Sequence, residues 1–301
     1  MRLRHIEVFN AIYTSGSITG AAKLLNVSQP SVSKVLAHAE QQIGFKLFDR
    51  SGSKLTPTPE AERLFPHVGQ VFTHLAQVKR VAANLRAADQ GSIRLACTPA
   101  LGMALAPQLV AKFIDLAPNT IFDIETLHID AISQSLAESH NDLALAFDPP
   151  AQPGLRVHPV ATGRFVVIAP SNLGQDLGAT TSLNKLAQLP FISLNTRGPL
   201  GQLLDAHLRD AGAAPNVVAT AETYHLAHAL VAQGAGIAVV DEITARSSQF
   251  PGVRIIELEP VIEFQISALY LESPPLPLLA QRFLEFAEAE SAAFLTTPLD
   301  A

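Results

Sequence analysis

The chain has 301 residues, more than a typical single domain, and 48% of them are hydrophobic, which is enough for more than one buried core. No apolar run reaches membrane-helix length, the N-terminus lacks a signal-peptide pattern, and the single cysteine, Cys97, excludes an internal disulfide. The net charge of −6 is unevenly divided, since residues 1–90 carry +5 and residues 91–301 carry −11. A basic first part suits contact with a polyanion.

Residues 17–44 predict two short helices joined by a tight turn. Asn26 tolerates the left-handed conformation that such a turn needs, and Ser28 followed by Pro30 is typical of a helix start. Gly44 suits the position just after the second helix. Apolar residues lie on one face of each helix: Ala21, Ala22 and Leu25 on the first, and Val32, Val35, Leu36, Ala39 and Ile43 on the second. The pattern predicts a helix-turn-helix.

The second helix of such a motif enters the major groove of DNA with its N-terminal residues at the base edges. Gln29 can pair with adenine, and Lys34 suits guanine or a phosphate. A helical hairpin with a solvated polar face is the alternative interpretation of these residues alone. The candidate DNA-contacting residues of this helix are Ser28, Gln29, Pro30, Ser31, Ser33 and Lys34.

Residues 48–56 predict a short hairpin after the second helix, because turn-forming residues 51–54 separate two apolar-containing segments. A hairpin in this position would act as a wing beside the DNA. Arg50, Lys54 and Thr56 are the candidate contacts, with the two cations near phosphates. A surface ion pair is the alternative for Arg50.

Thr58 and Pro59 predict the start of a third, long helix, with Pro66 expected to kink it near that start. Its apolar residues follow the 4-3 spacing of a coiled coil, which favours pairing with a second copy of the chain. Packing of the helix on its own domain is the alternative. The predicted dimerisation residues are Leu64, Val68, Val71, Leu75, Val78, Ala82 and Leu85.

From about residue 91, predicted strands alternate with helices, which indicates a doubly wound, mainly parallel α/β fold in two similar lobes. The predicted strands are 92–98, 120–126, 142–147, 164–170, 191–195, 217–220, 236–240 and 264–271. The predicted helices are 101–118, 130–138, 182–188, 199–212, 223–233 and 275–294. The last strand and helix are expected to return to the first lobe.

Two motifs in the first 65 residues, GSITGAAKLLNVSQPSVSKVLAHAEQQIG-x-KLFDR and LTPTPEAERLF, resemble the N-terminal domain of LysR-type transcriptional regulators. The likeness is greatest to the branch of the lysine-biosynthesis and opine-catabolism regulators. GSIRLACTPALGMALAPQLVAKF and LVAQGAGIAVVDE are similar to the periplasmic-binding-protein-like effector domain of the same family.

This resemblance implies three parts: a winged helix-turn-helix domain over 1–58, a linker helix over 59–90, and a two-lobed α/β effector domain over 91–301. Lobe I would comprise 91–161 and 267–301, and lobe II 162–266. It further implies a cytoplasmic homodimer or homotetramer on pseudo-palindromic double-stranded DNA, with a small-molecule effector and RNA polymerase as candidate partners, and no membrane.

Ligands of open α/β sheets bind beyond the carboxyl ends of the strands, so the cleft between two such lobes is the expected effector site. Asp148 would suit a cationic group, whereas Thr98, Ser193 and backbone amides at helix starts would suit a carboxylate. Together they predict an amino acid or a derivative. The candidate effector residues are Thr98, Pro99, Ala100, His128, Phe147, Asp148, Ser193, Asn195, Thr196 and Thr223.

Three other functions, an enzyme, an effector-independent DNA-binding protein and a solute-binding protein, each account for fewer features of the sequence. The sequence has no Gly-rich phosphate loop, no G-x-S-x-G and no HExxH, so we expect no enzyme, cofactor or metal site. His225 and His228 are predicted to be surface residues. An effector-independent DNA-binding protein would leave the second part unexplained, and a solute-binding protein would leave the helix-turn-helix unexplained.

Overall fold

The computed structural model describes residues 1–51, 54–86, 91–174, 177–194, 198–247 and 252–296. The chain divides into two compact units, Met1–Val81 and Ala82–Ala301. None of the helices in the described part of the chain is long and apolar enough to cross a membrane.

The first unit is three short helices, a two-stranded hairpin and the start of a long helix. Asn26 has a φ of 52° in the turn before the third helix and Gly44 has a φ of 85° after it, as the sequence predicts. The predicted apolar faces meet in one core, where Ala21 and Val32 are fully buried. The elements are α1 (Leu3–Ser15), α2 (Ile18–Leu24), α3 (Gln29–Ile43), β1 (Phe48–Ser51), β2 (Lys54–Pro57) and α4 (Pro59–Arg86).

The long helix α4 begins at the predicted cap, where the Ala61 amide donates to Thr58 Oγ1 at 3.2 Å. The helix continues through Pro66 to Arg86. Its first apolar residues belong to the core of their own unit: Val68 is 3% exposed, and Leu64 packs against the same core. The alternative interpretation, in which the helix packs on its own domain, therefore holds for the start of α4.

The second unit is a two-lobed α/β structure with a largely shared hydrophobic core. Its elements are β3 (Gly91–Cys97), α5 (Pro99–Met103), α6 (Leu105–Leu116), β4 (Thr120–Thr126), α7 (Ile129–Ala137), β5 (Leu143–Phe147), β6 (Leu155–Pro170), α8 (Ser171–Gly174), β7 (Thr180–Thr181), α9 (Leu183–Leu186), β8 (Pro190–Leu194), α10 (Pro199–Asp210), β9 (Asn216–Ala221), α11 (Tyr224–Ala232), β10 (Ala238–Asp241), α12 (Glu242–Ser247), β11 (Val253–Leu258), β12 (Glu263–Leu271) and α13 (Leu278–Thr296).

Two predictions of local structure differ from this fold. The single helix predicted over 101–118 is broken at Ala104, whose φ of −122° and ψ of −72° are not helical, so α5 and α6 are separate. The strand predicted over 164–170 is the second half of the 16-residue β6, which begins at Leu155. Strand β11 was not predicted.

The large sheet has the order β4-β3-β5-β12-β6-β11-β7, with β10 also paired to β6. Strands β3, β4 and β5 are parallel. Strand β12 is antiparallel to both of its neighbours, β5 and β6, and β11 is antiparallel to β6. The expectation of a mainly parallel sheet is therefore wrong, because β6 runs from one lobe to the other and pairs antiparallel with β12, β11 and β10 along its length.

We call lobe I the part formed by β3, β4, β5, β12, the first half of β6, α5, α6, α7 and α13. Lobe II comprises the second half of β6 with β7 to β11 and α8 to α12, and contains the separate parallel pair β8–β9. Helix α13 returns to lobe I as expected and packs there on β6, β3 and α6.

Candidate functional site

The exposed surface at the start of α3 is polar. Ser28 takes the position just before the helix with extended backbone angles, and its side chain does not cap the helix amides. Gln29, Ser31 and Lys34 are exposed, and Ser33 is partly exposed, while Val32 beside them is fully buried. The predicted DNA-contacting residues of α3 therefore share one accessible surface.

Glu40 joins the end of α3 to the base of the wing hairpin. Its carboxylate is 7% exposed and accepts hydrogen bonds from the amides of Leu47 at 2.9 Å and Phe48 at 3.4 Å. Lys46 Nζ lies 2.6 Å from the other carboxylate oxygen. Since β1 begins at Phe48, these bonds set where the wing leaves the helical core.

Replacing Glu40 with alanine should lower the free energy of unfolding of the first unit by about 2 kcal/mol, because two buried amides lose their acceptor. Lys46→Ala is the matched control, since Lys46 is 71% exposed and its ion pair should contribute less than about 1 kcal/mol. Urea unfolding of both variants measures the difference. Equal losses in the two variants would contradict the role given to the amide bonds.

The wing itself is the hairpin predicted from the sequence, with β1 and β2 antiparallel and Ser51 opposite Lys54. Thr56 is exposed, and its hydroxyl donates to the Asp49 carbonyl at 3.4 Å. The side chains of Arg50 and Lys54 lie outside the described part of the structure, so their predicted phosphate contacts stay predictions.

The middle of α4 carries the apolar residues that remain accessible. Val71 and Leu75 are partly exposed, and Val78 is 65% exposed. Ala82 is exposed, whereas the Leu85 side chain lies outside the described part. We call Val71, Leu75 and Val78 the exposed apolar stripe of α4. The first two residues of the predicted heptad pattern, Leu64 and Val68, do not belong to it because they pack in the core of the first unit.

The second unit contains a cavity of about 280 Å³ between the two lobes. Lobe I and lobe II each contribute residues that follow the carboxyl ends of strands. Such a volume is at the small end for ligand pockets and suits a small metabolite. The lining residues are Thr98, Pro99, Ala100, His128, Ile129, Asp130, Phe147, Gly198, Pro199, Leu200, Gly201, Glu222, Thr223 and Tyr224.

Helix starts surround this cavity. Thr98, His128, Gly198 and Thr223 are the residues that precede α5, α7, α10 and α11, respectively. The first amides of a helix have no partner within the helix, and the helix dipole favours negative charge at that end. Helices α7 and α10 have nine and 12 residues and no side-chain cap, so their starts can bind a carboxylate, whereas Thr223 Oγ1 already accepts from the Leu226 amide at the start of α11.

Two hydroxyl groups in the cavity wall are buried without a hydrogen-bond partner among the described residues. They are Thr98 Oγ1 and Tyr224 Oη. Burial, followed by the nearby Asp241 carboxylate, raises the pKa of Tyr224 well above its ordinary value, so the phenol stays protonated and can donate. Buried unsatisfied hydroxyls are costly, and both of these belong to residues that line the cavity.

The structure brings together six of the predicted effector residues: Thr98, Pro99, Ala100, His128, Phe147 and Thr223. The other predicted residues that it describes, Asp148 and Ser193, do not line this cavity. Asn195 and Thr196 lie outside the described residues.

The Asp148 carboxylate bonds to β12 and does not line the cavity. Its φ of 37° turns the chain after β5, and Oδ1 accepts a hydrogen bond from the Gln265 amide at 3.0 Å. The Asp148 amide donates to the Gln265 carbonyl at 2.8 Å, so Asp148 joins β5 to β12. Ser193 lies within β8, opposite Thr220 of β9, rather than beyond the strand end.

His228 of α11 differs from the prediction of a surface residue, whereas His225 is partly exposed. His228 is 1% exposed, and burial, with a smaller contribution from His225, lowers its pKa to about 4. His228 is therefore a neutral core residue, because it lies on the inward face of α11.

Cys97 is fully buried, and burial raises the pKa of its thiol to about 12, so the thiol stays protonated. The described residues contain no group of three potential ligands that could hold a metal ion.

Comparison with known proteins accounts for both units. The family described as "Bacterial regulatory helix-turn-helix protein, lysR family" matches residues 3–62, and "LysR substrate binding domain" matches residues 86–292. The chain belongs to the LysR family of transcriptional regulators. It is a DNA-binding regulator with an effector-binding domain.

Two curated relatives and one solved structure illustrate the range of similarity within the LysR family. The transcriptional regulator DgcR of Pseudoalteromonas sp is 41% identical, over 94% of this chain and 98% of DgcR. The transcriptional activator protein LysR of Escherichia coli (strain K12) is 29% identical, over 100% of this chain and 96% of that protein. Full-length CbnR in complex with its target DNA has the same fold, with 19% identity, a TM-score of 0.72 and coverage of 96% and 99%.

The cavity of this LysR-family chain contains residues that the sequence reasoning missed. Asp130 and Glu222 are the charged ones, and each lies one or two residues from a predicted residue, His128 or Thr223. Gly198 to Gly201, at the start of α10, form the missed part of the lobe II wall. Extending the predicted strand over 217–220 by two residues would have found Glu222, and the Gly-Pro pair at 198–199 marks the start of α10. Asp130 lies four residues beyond the predicted strand over 120–126, so such an extension does not reach it.

Proposed function

We propose that this LysR-family chain binds an operator in double-stranded DNA and changes that binding when an amino acid or a derivative occupies the cavity between its lobes. The observation that carries the proposal is the cavity itself, because helix starts from both lobes converge on it with two unsatisfied hydroxyls. The proposal assigns no catalytic role to any residue, and places the protein in the cytoplasm with its DNA.

DNA contact is assigned to the polar surface of α3 and to the wing. Gln29 and Ser33 would read base edges, whereas Arg50, Lys54 and Thr56 would contact the backbone. The accessibility of the α3 residues beside a buried Val32 supports this assignment.

Self-association is assigned to the exposed apolar stripe of α4, formed by Val71, Leu75 and Val78. Pairing two such stripes would bury them and place two copies of α3 at the spacing of a pseudo-palindromic site. Association of two dimers into a tetramer through the second units is part of the same proposal.

The effector is assigned to the amino-acid class because the cavity is small and offers groups for both ends of an amino acid. Thr98 Oγ1 and the first amides of α10 would bind the carboxylate, since a helix start favours an anion. A ligand that contacts both lobes would bind one arrangement of the lobes more tightly than another. This difference in affinity is what allows the ligand to change DNA binding.

Footprinting of the full chain on genomic fragments that it retains tests this function. Gln29→Ala should weaken specific binding about tenfold, a loss of the size expected for one base contact, while non-specific binding stays unchanged. Gln41→Ala, at an exposed position near the end of the same helix, is the control and should have no effect.

The same footprints, repeated with the L and D forms of common amino acids and of ornithine, test the effector. At least one compound should change the protected region or the affinity. A footprint that no amino acid alters would contradict the effector part of the proposal, and loss of binding in Gln41→Ala but not in Gln29→Ala would contradict the assignment of α3.

A further inference from the structure

Two carboxylates face the cavity from opposite lobes. Asp130 lies in the first turn of α7 in lobe I, and Glu222 directly precedes Thr223 at the start of α11 in lobe II. Both side chains are exposed, and neither makes a hydrogen bond or an ion pair with any described residue. The described lining residues include no lysine or arginine to neutralise them.

The charges by themselves have a simple structural explanation, since an acidic residue near a helix start is stabilised by the helix dipole. The cavity between the lobes is an independent sign of a ligand at this place, because the starts of α7 and α10 converge on it without a side-chain cap and Thr98 and Tyr224 of its wall have hydroxyls without a partner among the described residues. Tyr224 is the residue after Thr223, lines the same wall as Glu222, and buries its hydroxyl without a hydrogen-bond partner in the described part of the chain.

The cavity offers separate groups for the anionic and the cationic part of a ligand. Helix amides and Thr98 Oγ1 favour an anionic group, whereas Asp130 and Glu222 favour a cationic one. A ligand with only anionic groups would leave both carboxylates near negative charge, with no cation between them.

We infer that Asp130 and Glu222 determine effector specificity by binding the α-ammonium group of an amino acid between the two lobes. This inference rests on the proposed function and adds the residues that select the ligand class. Two like charges on opposite walls repel when the cavity is empty, and an ammonium group between them replaces that repulsion with two attractions. Ligand binding and approach of the lobes are thereby coupled.

Matched ligands test the ligand class. The melting temperature of the full chain is measured with the amino acid panel, and the affinity of each compound that raises it is measured by calorimetry. The 2-oxo acid that corresponds to each binder has the same carboxylate and side chain but no ammonium group. It should bind at least tenfold more weakly than the amino acid.

Matched variants test the residues. Asp130→Asn and Glu222→Gln should each weaken the amino acid at least fivefold, and should leave the affinity for the 2-oxo acid equal or higher, so that the ratio between the two ligands falls. Asp115→Asn removes the same charge from an exposed position of α6 outside the cavity wall and should change neither affinity. The melting temperature without ligand shows that each variant is folded.

The outcomes distinguish the inference from the proposed function. A 2-oxo acid that binds as tightly as its amino acid, or unchanged amino acid affinity in both variants, would overturn the inference and leave an effector-responsive regulator. A panel in which no compound changes the melting temperature or the footprint would overturn the amino-acid effector and this inference together.

Discussion

Replacing Glu242 with alanine should lower the free energy of unfolding of the second unit by about 3–5 kcal/mol, the cost typical of breaking a buried ion pair. Glu242 is 3% exposed at the start of α12. Its carboxylate lies 3.0 Å from Arg246 Nη2 and accepts a hydrogen bond from the Arg164 amide at 3.0 Å. Arg246 is itself 9% exposed, so its charge would be left buried without this carboxylate.

The position of this cluster links the lobes. Arg164 lies in the part of β6 that leads from lobe I to lobe II, with its Nε 3.6 Å from the Glu242 carboxylate. Arg246 Nη2 also donates to the Leu295 carbonyl at 3.3 Å, near the end of α13, and its guanidinium lies 5.8 Å from the centre of the Phe294 ring. Glu242 therefore binds the arginine that connects α12 of lobe II to α13 of lobe I.

Glu257→Ala is the matched control for Glu242→Ala, because Glu257 pairs with the same Arg164 at 3.2 Å but is 50% exposed. An exposed pair should contribute less than about 1 kcal/mol. Urea unfolding followed by circular dichroism measures both variants, and hydrogen exchange of α12 locates the loss. Similar values for the two variants would contradict the importance given to burial.

Replacing Asp241 with asparagine should stabilise the second unit at neutral pH. Asp241 is fully buried, and burial raises the pKa of its carboxyl from 3.8 to about 6, although the Thr244 hydroxyl and amide donate to it at 2.7 and 2.8 Å. A neutral amide occupies the same volume without the cost of an ionised buried group.

The sign of the pH dependence follows from the raised pKa. Below about pH 4 the carboxyl is protonated in both the folded and the unfolded chain. As pH rises to about 6, the unfolded chain ionises first, so the folded state loses stability relative to an asparagine variant. A pKa difference of about two units corresponds to about 3 kcal/mol.

Urea unfolding of wild type and Asp241→Asn at pH 4.5 and pH 7 measures this effect. The free energy of unfolding of the variant should exceed that of wild type by more at pH 7 than at pH 4.5. Asp205→Asn is the control, since Asp205 is 48% exposed and pairs with Arg209 at the surface. A difference between wild type and Asp241→Asn that does not change with pH would show that the carboxyl ionises normally in the folded state.

The first unit could be predicted in detail because its signals are local. Asn26, Ser28 and Gly44 each act on the backbone within a few residues, and the helical spacing of apolar residues determines which faces are buried. The heptad spacing of α4 was less informative. Apolar residues at this spacing suit either the core of the same unit or a second chain, and only the fold shows that Val68 is buried in the core of its own unit.

The cavity was predictable in its place but not in its charges. Residues that follow strand ends meet in such folds, so Thr98, His128, Phe147 and Thr223 could be found from the strand pattern. The direction of a side chain beyond a strand depends on the turn there, and the positive φ of Asp148 turns its carboxylate to the Gln265 amide. Asp130 and Glu222 line the cavity instead, because their helices begin there.

By itself the sequence determined the order of the elements, the basic first part and acidic second part, and the family motifs, since all of these depend on nearest neighbours along the chain. Only the tertiary structure decided that β6 runs unbroken between the lobes, that Glu242 is buried beside Arg164, and which carboxylate-bearing residues line the cavity. These features depend on contacts between residues tens of positions apart, and no local spacing encodes such contacts.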